Sequence, residues 1–354
     1  MSSVDNFSFL NNLTQVDYIK DLLNKRLPEF YPDFVTLKEI EIRPYKKHFG
    51  KTSATYVAGY FCKYENNKQE LKDLNIFVSA HTDGSRQDSF ANNSFLYAHG
   101  FARGQYLTPK PLFYVSELGG FFYEGVRGRI LKKLIKDEPQ RDLRPVLDLA
   151  TAWLRVLHNI DSSDPNFRLK DFSIKNMRPR PDKLIADFVA RNKELGQRLE
   201  NLLQGIINLE VDWSSKINKT LVHGDYHLEN IVVSGLEPDH IKVIDFTDLA
   251  WGDPCLDLGE FLQQFDFMLQ NTLSRQQIND YKSYFIESYF GESFADIDPV
   301  FISRINLYQA WTTLRTVALL FYTKDSRHAL ENLLKDTEGY LELSQKQIVK
   351  INLN

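Results

Sequence analysis

Apolar positions along the 354-residue chain recur at two spacings, and the switch between them divides it. VDYIKDLLNKRLPEF, from Val16 to Phe30, places them at helical intervals and predicts a leading helix. From about Leu37 to Val78 the period shortens. LKEIEIRPY alternates, TYVAGYFCKY is β-branched and aromatic, and LNIFVSA is a short apolar run. These predict three strands, parted by KKHFGKTS and ENNKQELKD. FANNSFLYAHGF predicts a helix stopped by Gly100, and PLFYVSELGGFFYEGV two further strands around a Gly-Gly turn. The first third therefore predicts a five-stranded antiparallel sheet with one helix against it.

Beyond Val126 the helical period takes over. RPVLDLATAWLRVLHNI is one amphipathic helix, and KLIADFVARNKELGQRLENLLQGI is read as a single longer one. LGEFLQQFDFMLQ, QINDYKSYFIESYF, ISRINLYQAWTTLRTVALLFY and ENLLKDTEGYLELSQKQIVKI follow. TLVHGDYHLENIVV and HIKVIDFTDL interrupt them as a strand–loop–strand island. The expected class is α+β, with a helical extension over 1–36, a sheet-rich lobe over 37–124 and a helical lobe over 125–354. The seam falls near Glu124 and Gly125, and ligand sites favour such seams.

Composition narrows the partners rather than the fold. The net charge of −4, from 43 basic and 47 acidic residues, offers no dense basic face for nucleic acid. Two cysteines, Cys62 and Cys255, cannot build a disulfide framework, which fits a reducing, cytoplasmic setting. MSSVDNFSFLNNLTQ lacks the basic and apolar regions of a signal peptide, and no apolar run is long enough to span a bilayer, so no membrane partner is expected.

The chemistry concentrates after Leu221. His223, Gly224 and Asp225 turn the chain out of a strand, Asn230 follows five positions on, and the next strand pair ends at Asp245. Phosphoryl transfer needs a group that positions the acceptor hydroxyl and oxygen ligands that hold magnesium on the phosphates. Asp225 suits the first task; Asn230 and Asp245 offer the hard oxygens for the second. Two other readings stay open: His223, Asp225 and His227 as metal ligands of a hydrolase, and a structural His/Asp turn. Asp253, before Pro254, reads as a turn or cap residue, and the helix carrying Trp311 and Arg315 as core and surface.

His223-Gly224-Asp225-Tyr226-His227-Leu228-Glu229-Asn230, then Ile244-Asp245-Phe246, then Gly252-Asp253-Pro254-Cys255-Leu256-Asp257-Leu258 resemble, in order and spacing, the signature of the aminoglycoside phosphotransferase and choline kinase family. Leu157-His158 resembles its Leu-His pair. The resemblance implies a bilobal protein-kinase-like fold, ATP or GTP as co-substrate, Mg²⁺, and a small-molecule acceptor. It implies Asp225 as catalytic base with His223 and Asn230 beside it, Asn230 and Asp245 as magnesium ligands, and Asp257 and His227 as supports.

The nucleotide side matches less. HFGKTSATYV occupies the place of the phosphate-covering turn, with Gly50, Lys51, Thr52 and Ser53 facing the phosphates. Glu124 and Val126 fall where backbone groups would meet the base. In the third strand, Ser79 stands where a lysine or arginine is expected, and SFANNSFLYAH, read as the partner helix, holds no acid. A lone carboxylate beside phosphate would repel it, so losing both members is electrostatically consistent. Lys51, His81, Arg86 and Arg103 are the possible substitute cations. Glu260 and Asp266, with Asp280, are candidate acceptor-binding acids. The leading expectation is a small-molecule kinase; the alternative is a nucleotide-binding pseudokinase with a regulatory or scaffold role.

Overall fold

The computed structural model describes residues 5–49, 53–161, 169–177, 179–323 and 327–352. The chain divides into two compact units. The first comprises residues 1–128 together with 232–234 and 239–247; the second is the remainder.

The first unit is built on an antiparallel sheet of β1 (Phe34–Phe49), β2 (Ala54–Asn66), β3 (Leu71–His81), β5 (Pro111–Val115) and β6 (Gly120–Glu124), in the order β1-β2-β3-β6-β5. Strand alternation decides its two faces. Leu74, Ile76, Val78 and Ala80 of β3 point into one core with Tyr56, Ala58, Tyr60 and Cys62 of β2. A short 3-10 segment and α1 (Val16–Arg26) cover that core with Leu10, Leu13, Ile19 and Leu23. Asn75, Phe77 and Ser79 point to the opposite, half-buried face, where Phe77 packs on Tyr45, Phe61 and Tyr123.

α2 (Ser85–Leu96) packs on this second face through Phe90 against Phe121. It begins four residues before the predicted SFANNSFLYAH, because Gly84 takes a left-handed conformation and TDGS therefore opens the helix instead of forming a free turn. The helix thus contains Arg86 and Asp88, which corrects the expectation of an acid-free partner helix; Asp88 is exposed. The short β4 (Tyr106–Leu107) runs parallel to β10 (Ile241–Val243), which neighbours β9 (Ile231–Val233).

Gly119 turns β5 into β6 with φ +53, and a Cβ there would run into the His81 carbonyl. The turn is a fixed part of the sheet, since the His81 amide donates to the Gly119 carbonyl at 3.1 Å. Gly119→Ala is expected to cost more than about 1 kcal/mol, measurable as a lower urea midpoint with unchanged slope.

The second unit carries β7 (Arg129–Ile130), α3 (Leu131–Asp137), α4 (Arg144–His158), α5 (Pro181–Arg191), α6 (Lys193–Ser214), β8 (Thr220–Val222) and β11 (Ala250–Gly252). α7 (Cys255–Leu269), α8 (Arg275–Phe290), α9 (Pro299–Thr323) and α10 (Arg327–Asn352) complete it. The segment predicted as one long helix is two, α5 and α6, broken at Asn192. That residue adopts an extended conformation, and its side chain caps α6 by accepting the Leu195 amide at 3.1 Å. α7 is buried along most of its length among its neighbours, with Phe261 stacked on Phe285 of α8 at 3.9 Å between centroids. Among the described residues no helix is long and apolar enough to cross a membrane.

Candidate active site

β8 pairs antiparallel with β11, Leu221 opposite Trp251, and delivers the chain into the loop that begins at His223. Gly224 has φ +77, and a Cβ there would meet the Asp248 carbonyl, so a side chain is excluded at this turn. The loop is hung from α7. Fully buried Asp257 accepts the His223 amide on Oδ2 at 2.8 Å and the Gly224 amide on Oδ1 at 2.9 Å. His158, at the end of α4, meets Asp257 Oδ2 at 3.0 Å, and its other ring nitrogen meets the Tyr289 hydroxyl at 2.7 Å. Glu260, one turn along α7, accepts the Tyr226 amide at 3.2 Å. One helix thus holds three loop amides, those of His223, Gly224 and Tyr226, through two carboxylates.

This scaffold leaves Asp225 at the centre of a polar cluster. The Asp225 amide donates to His223 Nδ1 at 3.3 Å, and Asp225 Oδ2 lies 3.3 Å from His227 Nε2. Asn230 donates its side-chain N–H to the Asp225 carbonyl at 2.8 Å, with Asp225 Oδ2 at 3.3 Å. Its own carboxamide oxygen takes no hydrogen bond among the described residues. The structure therefore brings His223, Asp225, His227 and Asn230 together around one carboxylate. Burial pushes the Asp225 carboxyl up, but the His227 hydrogen bond and the charges of Arg315, His227 and His223 outweigh it, holding the group well below the usual carboxylate range.

Arg315, read from sequence as core or surface, is the largest correction in this unit. From α9 it reaches Asp225 Oδ1 with Nη2 at 3.2 Å and pairs with Glu260 through Nη1. Trp311, one turn earlier, is core. The signal was present in the sequence as a single cation inside the otherwise uncharged run AWTTLRTVALLFY. Glu260 is correspondingly occupied: its two oxygens serve Arg315 and the Tyr226 amide.

A cavity of about 520 Å³ opens beside this cluster. Asp225, His227 and Arg315 form its polar end, and Met177, Phe267 and Met268 part of its wall. Glu229, on the rim, is paired with Lys132 at 2.7 Å. Asp266 does not line it. It turns to the far side of α7, where Arg275 holds both of its oxygens at 2.7 and 2.6 Å, and it borders a separate cavity of about 540 Å³. Asp280 is bonded to Gln276 at 2.7 Å. Asp253 is an internal tie, buried against Arg304 at 3.0 Å and accepting the Cys255 amide.

In the first unit, Asp245 lies two residues past β10 with φ +67, a conformation uncommon for a residue other than glycine. Thr247 donates to its Oδ1 at 2.6 Å, Arg86 Nη1 lies 3.9 Å from the same oxygen, and Oδ2 has no partner among the described residues. Ser79 lies half-buried on β3, opposite Val57 and Phe121. Glu124 closes β6: its amide donates to the Lys110 carbonyl at 2.9 Å, and its carboxylate takes the Tyr31 hydroxyl at 2.7 Å. Val126 follows outside the strand, and Ser53 directly precedes β2. Gly50, Lys51 and Thr52 lie outside the described residues.

Among solved structures, the chain is similar to a choline/ethanolamine kinase family protein from Mesorhizobium loti, at 13% identity and TM-score 0.58, covering 97% of this chain and 100% of that one. It is also similar to an ethanolamine kinase of Plasmodium vivax (14% identity, TM-score 0.52, 93% and 89% covered). A third is the ADP-bound aminoglycoside phosphotransferase APH(2'')-Ib (16% identity, TM-score 0.53, 94% and 99% covered). These likenesses establish a kinase-like α+β fold. No curated protein sequence matches the chain. The model of the phosphotransferase enzyme family, APH, matches residues 74–292, a stretch that holds His223, Asp225, His227, Asn230 and Asp245 but not Arg315. The chain belongs to that family and is a phosphotransferase.

Proposed function

We propose that the protein is a small-molecule kinase that transfers the γ-phosphoryl group of ATP or GTP to a hydroxyl of a small metabolite or aminoglycoside-like acceptor. One observation carries the reading: an ionised Asp225 stands at the polar end of a cavity large enough for a small organic molecule, on a loop fixed by buried carboxylates. Asp225 accepts the hydrogen bond of the acceptor hydroxyl and takes its proton as the phosphoryl group transfers. A weak base suffices, because in a loose transition state positioning and charge compensation carry most of the catalysis. Arg315 fixes the Asp225 carboxylate from one side and His227 from the other.

Asn230 and Asp245 are the residues that would hold magnesium. Each keeps one hard oxygen without a partner among the described residues, which suits that ion's preference for oxygen ligands. When bound, the metal supplies charge neutralisation on the phosphates. Glu124 and Val126 would meet the base through their backbones; of the residues expected to face the phosphates, Gly50, Lys51 and Thr52 lie outside the described residues. Asp257 serves as the loop's support. Glu260 is held by Arg315, Glu229 by Lys132, and Asp266 is turned away, so Asp225 is the carboxylate at the polar end of a cavity whose wall is largely apolar.

The test is phosphoryl transfer from Mg²⁺-nucleotide to a panel of neutral and cationic alcohols, wild type beside Asp225→Ala. Transfer that requires Asp225 is the expected result. Ser79 in the lysine position favours a second reading, a pseudokinase. Thermal stabilisation by Mg²⁺-nucleotide with no Asp225-dependent transfer to any member of the panel would establish that reading instead.

A further inference from the structure

A nucleotide's phosphates bring several negative charges to the first unit, and Ser79 cannot answer them. Among the described residues, the cation that pairs with Asp245 comes from the helix instead of the strand. Arg86 is the second residue of α2; its guanidinium donates to Thr247 Oγ1 at 2.5 Å and lies 3.9 Å from Asp245 Oδ1. The side chain is only 13% exposed, yet its Nε is buried without a partner among the described residues. A guanidinium has five N–H donors, and this one uses a single donor among the described residues. Burying a cation with unmet donors is costly unless something charged meets it. Asp245 at 3.9 Å offsets the charge without satisfying the donors.

The neighbouring contacts fix where this cation sits. Ser89 and Asn92 lie on the same face of α2, three and six residues beyond Arg86. Ser89 Oγ is 3.2 Å from Thr247 Oγ1, and Asn92 donates to the Phe246 carbonyl at 2.8 Å. Three side chains of one helix thereby hold the turn that presents Asp245. The rival cations do not compare. His81 is taken by Asp83 at 2.7 Å, Arg103 is exposed, and Lys51 lies outside the described residues.

We propose that Arg86 holds the phosphates of the bound nucleotide in place of the third-strand lysine, an inference that rests on the kinase reading above. A guanidinium suits the task, because its planar fork can engage two phosphate oxygens at once. The relocation also accounts for Asp88. A cation carried on the helix and steadied by Thr247 needs no carboxylate clamp from that helix, so the acid there is left in solvent.

Calorimetric titration of wild type, Arg86→Ala and Arg86→Gln with Mg-ADP and with adenosine tests this. Arg86→Ala is expected to weaken Mg-ADP binding by about tenfold or more while adenosine affinity changes by less than about twofold. Should the alanine variant fail to fold, Arg86→Gln, which keeps a donor for Thr247 but no charge, is expected to show the same split. Mg-ADP affinity equal to wild type in a folded variant overturns the proposal. Parallel losses for Mg-ADP and adenosine overturn it too, since they assign Arg86 a purely structural role. Wild-type protein that binds neither ligand overturns the kinase reading itself, and this proposal with it.

Discussion

Asp225→Asn is expected to lower kcat by about 10²–10⁴-fold with the alcohol that the substrate panel identifies. Asparagine keeps the shape of the side chain, so the loop amides bound by Asp257 and Glu260 stay in place. What changes is the charge and one acceptor oxygen. Arg315 Nη2 at 3.2 Å and His227 Nε2 at 3.3 Å both address this carboxylate, and an amide can present an oxygen to only one of them. The acceptor hydroxyl then loses both its proton acceptor and its orienting partner. Because nucleotide contacts lie elsewhere in the proposal, Mg-ADP affinity should remain near wild type. Steady-state kinetics beside calorimetry separate the two effects. A kcat within about twofold of wild type would remove Asp225 from the proposed chemistry.

The second large effect falls on stability. Asp257→Ala removes the carboxylate that accepts two loop amides, at 2.8 and 2.9 Å, and meets His158 at 3.0 Å, all in the interior. Each buried donor left unmet costs about 1–3 kcal/mol, so the substitution is expected to cost about 3–5 kcal/mol. Against a total stability of about 5–15 kcal/mol that is a large fraction, and the urea midpoint should fall accordingly. Asp257→Asn retains one acceptor oxygen and should lie between alanine and wild type. A midpoint for the alanine variant equal to wild type would show that the loop does not hang from α7 in solution.

The strands were legible because a half-buried strand must alternate, and β2 and β3 do so wherever one face meets the core. The loop from His223 to Asn230 stood out in the sequence because few residue types suit phosphoryl transfer, and the structure gathers His223, Asp225, His227 and Asn230 there. Arg315 escaped because its contacts with Asp225 and Glu260, 90 and 55 residues away, exist only once α9 packs across α7. The proposed acid pair on α7 was decidable in advance. Residues 260 and 266 are six apart, about 240° around a helix, so they face different neighbours. The start of α2 was missed for a local reason. TDGS carries turn-forming residues, and nothing in their type reveals that Gly84 leads straight into helix.

The first unit is discontinuous, since its strand pair arrives from residues 232–234 and 239–247 after more than a hundred residues of the second. During synthesis from the N-terminus, the sheet's five strands and α2 are complete long before Phe246 and Thr247 emerge. Until then Arg86, Ser89 and Asn92 have no turn to hold. Vectorial folding therefore cannot finish the first unit before much of the second has been made, and a fragment cut at Gly128 would carry the phosphate-side helix without the segment that orders it. The order of translation ties maturation of the Arg86–Asp245 pair to the later half of the chain, so that a nascent or truncated product lacks the contacts that hold Arg86 beside Asp245.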